Sequence, residues 1–374
     1  MNIVIFAAIS LNKMLKHITL ATLFMLLAHC CPAQKTIIFN LPADSTIADN
    51  NVCHSLRVID MRKHKDSIGG LSITTSKVET KVVPEQPLDI MLNRYFDEIS
   101  ANKKGEFELL LVLHDFQITK LNRNIDLGYF HFSGDFYIGK DGKYHMLDSV
   151  DHIYEFGPTK KFIEGLIAYT QQNTFQLINK YAPKAVSMKW LKLTEQDAQN
   201  RRANIKAKYP IYTGEFKQGI YFTVDQFLAN SPSDTEIIVK EIPQQDGKKI
   251  YYYHYKNAKG KAGKQIDGDS YFAIYDGKSW HLGGESGIRK MKFHDGEFTA
   301  VRVEYGLRAE PKNNFLYVPV GGGAIGPSIA ANGAAIGISY IINSSKNRDE
   351  LGEVYYNCRF DPAQKKFIPF KRLE

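Results

Sequence analysis

Three short glycine-containing motifs carry the residue types of nucleotide-binding or hydrolytic sites. Residues 321–326 match the G-x-G-x-x-G pattern of dinucleotide-binding turns, but Pro327 interrupts the helix that should follow. Residues 260–264 are too short for a phosphate loop, and Gln265 stands where that loop requires Ser or Thr. Residues 284–287 lack the second glycine spacing of a nucleophile elbow. The sequence therefore predicts neither a cofactor nor a catalytic serine in these motifs.

Histidines of one predicted hairpin form the nearest approach to a metal site. A two-residue loop in the hairpin of residues 126–154 pairs His131 with Val150 and places it diagonal to His152, so that both imidazoles share a sheet face. Two histidines without a third ligand make a weak site, and the sequence therefore predicts no metal. If the fold gathers several of His114, His131 and His152 with carboxylates around a pocket, a hydrolase with an unrecognised site is indicated instead.

The N-terminal residues have the pattern of a secretory signal peptide. A positively charged start at Met14 is followed by an apolar run and by Ala33 at the expected cleavage position. We predict that residues 1–33 are removed on export and that Met14 is the true start. Lipid attachment at Cys30 or Cys31 is the alternative, although neither cysteine follows the small residue that a lipobox requires.

Cys53 and Cys358 are the cysteines of the predicted mature chain. An oxidising compartment would permit a disulfide between them, which would tie the first domain to the last strands. Two separate buried thiols are the interpretation we favour, and the disulfide stays open as the alternative.

Composition places the mature chain among folded globular proteins. The 374 residues are 44% hydrophobic and 12% aromatic, which is enough for a sizeable core. The net charge of +8 is spread along the chain, and its densest basic stretch, residues 256–264, lies among Gly and Ala as in a solvated loop. We therefore expect no nucleic-acid partner.

Residues 35–190 have the pattern of an α+β domain, in which a sheet carries two helices on one face. Apolar residues recur at helical spacing after Pro87 and again over residues 160–181. The continuous apolar run over residues 109–113 predicts a strand buried on both faces. Residues 191–210 are mostly polar and charged, and they predict an exposed helical linker.

Residues 211–310 predict an antiparallel β-meander domain. Asp-Gly pairs favour two-residue hairpin turns, and four of them begin at Asp246, Asp267, Asp276 and Asp295. The segments around the last two pairs repeat one strand–turn–strand unit. Residues 346–374 add C-terminal strands.

The segment 311–345 is rich in Gly and Ala and carries no charged residue from position 313 onward. Its apolar length is sufficient to cross a bilayer, and small residues four apart allow close helix packing there. The residues of this candidate membrane segment are Val318, Gly322, Gly326, Gly333, Gly337 and Ile342. Pro319 and Pro327 argue instead for a buried loop and strand pair, so membrane association of residues 318–342 is one of two interpretations.

One stretch of the second half resembles a module of uncharacterised exported proteins of the Bacteroidota. The resemblance rests on Gly219-Ile-Tyr, on Phe227 in a short helix and on the Asn-Ser-Pro sequence that starts at Asn230, and it covers residues 214–305. Residues 35–185 are similar in layout to small α/β domains of envelope lipoproteins. The resemblance implies a cell-envelope location and assigns no chemistry.

These patterns predict an exported α+β protein of the bacterial cell envelope that binds or scaffolds an envelope protein or ligand without catalysing a reaction. The first alternative is a membrane-attached accessory protein, held by residues 318–342 or by an N-terminal lipid. The second alternative is the hydrolase described above.

Overall fold

The computed structural model of the protein describes residues 35–42, 51–72, 79–100, 105–121, 126–157, 159–243, 249–283, 289–307 and 351–373. A mixed sheet with helices forms the first half, and antiparallel sheets form the second half, which confirms the predicted α+β class. The signal segment with Cys30 and Cys31, and the candidate membrane segment 318–342, lie outside the described residues. Within the described part of the chain, no helix is both long enough and apolar enough to cross a bilayer.

The first half is built on a seven-stranded sheet. Its strands are β1 (Thr36–Phe39), β2 (Cys53–Asp60), β3 (Gly69–Ser72), β4 (Glu79–Pro84), β5 (Phe107–Lys120), β6 (Gly128–Lys140) and β7 (Lys143–Phe156). The strand order is β1-β4-β3-β5-β6-β7, and β2 runs parallel to the first part of β5. The apolar run at the centre of β5 is fully buried because both faces of the sheet are covered there, as predicted.

Two helices cover one face of this sheet. They are α1 (Leu88–Ile99) and α2 (Phe162–Tyr181). All six apolar residues of the α1 stripe are buried, and both helices contribute to a single core with the phenylalanines of β6. Each large apolar side chain buried in this way contributes about 1.5–3 kcal/mol, which explains why the apolar spacing alone located both helices.

Strand β6 separates that apolar core from a polar layer on the other face. Its residues at alternate positions pack toward the helices: Phe130, Phe132, Phe136 and Ile138. The residues between them, His131, Ser133 and Asp135, point to the opposite face and are nevertheless completely buried. The opposite face is therefore covered by other parts of the chain.

Part of that cover is helix α3 (Glu195–Ala207), which lies within the predicted linker 191–210. A capping box between Thr194 and Asp197 starts the helix. Ala198 is buried against Leu110 and Tyr137 of the sheet. The predicted helix is confirmed, but the expectation that it is simply exposed is wrong, because one of its faces packs on the sheet.

The second half centres on another seven-stranded sheet, which is entirely antiparallel. Its strands are β8 (Gly219–Tyr221), β12 (Ala273–Tyr275), β13 (Trp280–Leu282), β14 (Arg289–His294), β15 (Glu297–Leu307), β16 (Leu351–Asp361) and β17 (Lys366–Arg372), in the order β17-β16-β15-β14-β13-β12-β8. Two short helices, α4 (Pro210–Thr213) and α5 (Val224–Leu228), pack on it through an aromatic cluster around Phe227 and Trp280.

A separate three-stranded sheet packs on the other side of this one. It consists of β9 (Ile237–Pro243), β10 (Lys249–Lys256) and β11 (Ala262–Gln265), in the order β11-β10-β9. Tyr253 of β10 contacts Ile220 and Ile274 in a shared core. The predicted single meander is thus divided into two sheets.

Two predicted Asp-Gly turns are confirmed, and one is corrected. The turns at Asp276 and Asp295 close the β12–β13 and β14–β15 hairpins, and both Asp295 and Gly296 have positive φ, as a type I′ turn requires. Asp267 precedes a 3-10 turn between two sheets. The turn at Asp246 lies outside the described residues.

The C-terminal strands predicted over residues 346–374 belong to the sheet of the second half. Strand β16 pairs with β15 over nine residues, so the C-terminal strands complete the sheet of the second half. The two segments therefore belong to one folding unit, although the chain between them lies outside the described residues.

Candidate functional site

The polar layer of the first half contains the histidines and carboxylates that could do chemistry. A β-bulge in β5 helps to build it, because His114 is an extra residue between the pairs Leu113–Gly134 and Asp115–Ser133. Leu113 and Phe116 both face the helices, so His114 and Asp115 both face the polar layer. Simple alternation along the strand would have placed only one of them there.

His131 lies at the centre of the layer between two carboxylates. Its Nδ1 is 3.1 Å from Asp115, and its Nε2 is 2.8 Å from Asp151. Burial alone would lower the pKa of His131, but the hydrogen bonds and charges of the two carboxylates outweigh it and raise the pKa to about 9. His131 is therefore a doubly protonated imidazolium at neutral pH, with both N–H groups engaged.

The C-terminal sheet supplies the next charges of the layer. The second oxygen of Asp151 accepts a hydrogen bond from Arg359 of β16 at 2.6 Å. Glu155 accepts hydrogen bonds at 2.5 Å from the hydroxyl of Tyr356 on β16 and from Arg372 on β17. Burial would raise the pKa of Asp151, but His131 and Arg359 hold it well below its usual range. A continuous chain of ion pairs thus connects the two halves of the protein.

Asp135 forms the second centre of the layer and is completely buried. One of its oxygens accepts from the hydroxyl of Ser149 at 2.5 Å, and the other lies 3.3 Å from both His114 and Arg201. Arg202 adds a contact at 3.6 Å. Burial would raise the pKa of Asp135, but the hydrogen bond with His114 and the charge of Arg202 hold it well below its usual range.

This arrangement does not form a nucleophilic triad. Asp135 sits between Ser149 and His114, so the serine donates its proton to a carboxylate and not to an imidazole. A Ser-His-Asp triad requires the imidazole in the middle position, where it can act as the base. Burial lowers the pKa of His114, which is neutral at pH 7 and donates its Nε2–H to Asp135. The geometry supports charge pairing and not proton transfer to a substrate.

The predicted pairing of His131 with Val150, with His152 on the same face, is wrong. His131 pairs with Ile153, and His152 pairs with Phe132 on the helix-covered face, where it packs edge-on against Tyr154. The hairpin turn lies one residue later than predicted, and a β-bulge in β7 shifts the register further. Among the described residues, no group of three or more His, Cys, Asp or Glu side chains has an arrangement that could hold a metal ion.

A separate open groove of about 330 Å³ lies near the tip of the β6–β7 hairpin. Its lining residues are His54, Arg57, Glu106, Glu108, Lys140, Asp141, Gly142 and Tyr144. Glu106 pairs with Lys140 at 3.1 Å, and Glu108 accepts from the hydroxyl of Tyr144 at 2.6 Å. Arg57 pairs with Glu195 at 2.6 Å. The charged groups of the lining thus pair mostly with one another. Surface ion pairs of this kind contribute little free energy, and they leave few charges free to bind a ligand.

A buried histidine that the sequence did not single out lies between the two sheets of the second half. His281 is 1% exposed and contacts the rings of Tyr251 and Tyr253. Neither ring nitrogen has a hydrogen-bond partner, and the nearest carboxylate, Asp276, is 3.7 Å from Nε2. Burial lowers the pKa of His281 to about 4, so this residue is a neutral core side chain. It alternates with apolar neighbours in a short strand, which hides it in the sequence.

The two cysteines do not form a disulfide. Both are buried thiols, and they belong to different cores, Cys53 to that of the first half and Cys358 to that of the second. The thiol of Cys358 donates to the carbonyl of Tyr356 at 3.7 Å. The interpretation of two separate buried thiols therefore agrees with the structure.

The residues that carry the resemblance to exported proteins have folding roles. Gly219 has a φ of +146°, and a Cβ there would lie 2.4 Å from the carbonyl oxygen of Asp234. The side chain of Asn230 accepts from the hydroxyl of Tyr221 and donates to the carbonyl of Glu215. These internal contacts explain the sequence pattern without a ligand.

Comparisons with known proteins give little further guidance. No protein family model matches the chain, and no curated protein matches it. One similar solved structure is a Xanthomonas campestris protein of the family DUF330, with 13% identity, a TM-score of 0.27, and coverage of 39% of this chain and 91% of that one. A second, described as an uncharacterized protein, has 15% identity, a TM-score of 0.25, and coverage of 40% and 97%. At these TM-scores the comparisons assign no activity.

Proposed function

We propose that the protein is an exported component of the bacterial cell envelope that works by binding or scaffolding and not by catalysis. One observation carries the proposal: the imidazolium of His131 is held between Asp115 and Asp151, and Asp151 is held in turn by Arg359 of the C-terminal sheet. The residues with the best chemistry for acid–base catalysis are thus used to join the two halves of the molecule.

Such a layer favours a fixed geometry more than it favours stability. Burying charges costs desolvation free energy that their mutual attraction only approximately offsets, while a misaligned pair leaves an uncompensated charge. The two sheets therefore have one preferred relative placement, in which Arg359 and Arg372 meet Asp151 and Glu155. A protein that presents outer surfaces in a constant arrangement suits a scaffolding role.

The envelope location is supported by the sequence. Residues 1–33 have the pattern of a signal peptide, and residues 214–305 resemble a module of exported proteins of the Bacteroidota. The partner is an envelope protein or ligand. A membrane-attached accessory role is the second candidate, because a described surface turn around Trp190 has the chemistry of a membrane interface.

The location is tested by expressing the full chain with a C-terminal tag in a Gram-negative host. The mass of the purified protein and its cell fraction are then measured. We expect a mature chain that begins after Ala33, or a lipid-modified cysteine, in the envelope fraction. A cytoplasmic chain that retains Met1 or Met14 would contradict the proposal.

The absence of catalysis is tested on the same protein with ester, phosphoester, glycoside and peptide substrates. His114→Gln and Ser149→Ala are the matched variants, since both residues contact Asp135. We expect no turnover that either variant abolishes. An activity that is lost in a variant with unchanged stability would favour the hydrolase alternative.

A further inference from the structure

A turn between α2 and α3 exposes two large apolar side chains. Met188 and Trp190 belong to a 3-10 turn, and they are 50% and 51% exposed. The turn is anchored by Leu191, which is buried, and by Leu193, which bridges to Tyr144. Because the backbone is fixed on this side, the two exposed side chains are presented outward and not left on a loose end. Tryptophan is enriched at protein interfaces and in membrane-interface belts, where its ring meets an apolar phase and its N–H stays hydrated.

Three lysines lie close to these two side chains along the chain, and the Nζ of one of them, Lys184, lies 4.8 Å from the centroid of the Tyr181 ring. Lys184, Lys189 and Lys192 are all exposed, and residues 183–194 contain no carboxylate. Two carboxylates on adjoining elements have partners of their own: Asp148 accepts from the hydroxyl of Tyr181 at 2.5 Å, and Glu195 pairs with Arg57. The surface of the turn is therefore basic with an apolar tip.

We propose that this turn docks the protein on an anionic lipid bilayer, with Met188 and Trp190 entering the interface and the three lysines contacting lipid headgroups. Tryptophan prefers the membrane–water interface, where its apolar ring and its N–H are both accommodated. Lysines beside it add attraction to anionic headgroups, and that attraction weakens as salt is added. One side of the Trp190 ring lies 5.6 Å from the His145 ring, and the rest of the side chain faces solvent. A flat lipid surface can contact these half-exposed side chains, whereas a peptide ligand would require a groove.

This inference rests on the proposed envelope role for the membrane it would meet. The two can fail separately. If the protein is exported but does not bind vesicles, only the docking proposal is contradicted. If the protein is cytoplasmic but binds vesicles through the turn, only the proposed location is contradicted.

The experiment measures binding of the full chain to vesicles of phosphatidylcholine, with and without phosphatidylglycerol. Co-sedimentation gives the affinity, and tryptophan fluorescence gives the depth. The chain contains two tryptophans, and Trp280 is only 4% exposed in the core, so a blue shift on binding reports Trp190. We expect binding to the anionic vesicles, a blue shift, and weakening as salt is added.

Two variants and two matched controls locate the contact. Met188→Ser with Trp190→Ser removes the apolar tip, and substitution of Gln at the three lysines removes the charge. Each should weaken binding by about tenfold or more.

The controls are Ile242→Ser, which alters a side chain that is 51% exposed elsewhere, and Gln substitution at Lys256, Lys259 and Lys261 of the other basic loop. Both controls should bind like the wild type.

The proposal is overturned by any of three results. The first is that the full chain fails to bind the anionic vesicles. The second is that the tip and lysine variants bind as tightly as the wild type. The third is that the controls lose as much affinity as the variants. Binding through an N-terminal lipid or through residues 318–342 would give the second result. All substituted positions are exposed, so the variants are expected to fold, and circular dichroism checks this.

Discussion

Raising the pH should weaken the fold through one residue, His131, as it loses its second proton. The carboxylates of Asp115 and Asp151 hold both ring nitrogens and raise the pKa of His131 from 6.5 to about 9. A histidine whose pKa is raised by folding stabilises the native state fully below its unfolded pKa. That stabilisation is lost as the pH rises through the folded pKa. The sensitive range therefore lies between about pH 6.5 and about pH 9.

The size of the effect follows from the two pKa values. A tenfold change in proton affinity corresponds to about 1.4 kcal/mol, so the full contribution is about 3 kcal/mol. About 2 kcal/mol of this is lost between about pH 6.5 and about pH 8.5. No discount for solvent screening applies, because His131 is completely buried.

The assay is urea unfolding of the wild type and of His131→Gln across this pH range. Burial lowers the pKa values of His114, His152 and His281, so these residues titrate in the opposite sense near pH 6.5. They remain in both proteins, and comparing the two profiles cancels them. We expect the wild type to lose its advantage over the variant by about 2 kcal/mol as the pH rises. Parallel profiles would show that His131 is not held as an imidazolium, and the reasoning would be refuted.

Three further perturbations should have distinct outcomes. Arg359→Met should lower the unfolding free energy by about 3–5 kcal/mol in urea titrations, because it leaves the buried charge of Asp151 with one partner fewer. His281→Leu should raise the thermal midpoint, with a gain of about 1 kcal/mol, because it removes two buried ring nitrogens that have no partner. Cys53 and Cys358 should resist a thiol reagent in the native protein and react after denaturation, since both are buried and burial raises the pKa of Cys53 to about 12.

Matched comparisons make these outcomes decisive. Lys365→Met removes an exposed ion pair with Asp225 and should leave the unfolding free energy close to that of the wild type. An equal loss of stability in the Arg359 and Lys365 variants would therefore contradict the burial argument. A destabilised His281→Leu protein would indicate that the imidazole makes a useful contact in the native state. If neither thiol reacted after denaturation, and both reacted once a reductant was added, the two cysteines would form a disulfide.

Much of the fold could be predicted from the sequence, whereas the arrangement of the candidate site could not. The spacing of apolar residues located α1, α2 and the central strand β5, because burial of a stripe or of a continuous run leaves a periodic trace in the sequence. Asp-Gly pairs located two hairpins for a local reason, the positive φ of their turn residues. The histidines and carboxylates could be named but not placed, because a bulge shifts the register by one residue and moves the following side chains to other partners.

The charged residues of α3 show the limit most directly. In the sequence, Arg201 and Arg202 belong to a polar segment that looks fully solvated. In the structure they meet Asp135, which lies 66 residues earlier than Arg201 along the chain. Complementary charges at such a separation leave no local pattern, since each is ordinary among its own neighbours.

By itself, then, the sequence determined the α+β class, helices α1 to α3, the hairpins at Asp276 and Asp295 and the pattern of an export signal, all of which depend on residues that are close along the chain. Only the tertiary structure decided that His131 is an imidazolium, that the layer around it joins the two halves, and that Met188 and Trp190 are half exposed. The physical reason is that pKa values, buried ion pairs and exposure depend on neighbours in space. Two bulges and the packing of the two sheets determine which residues become neighbours.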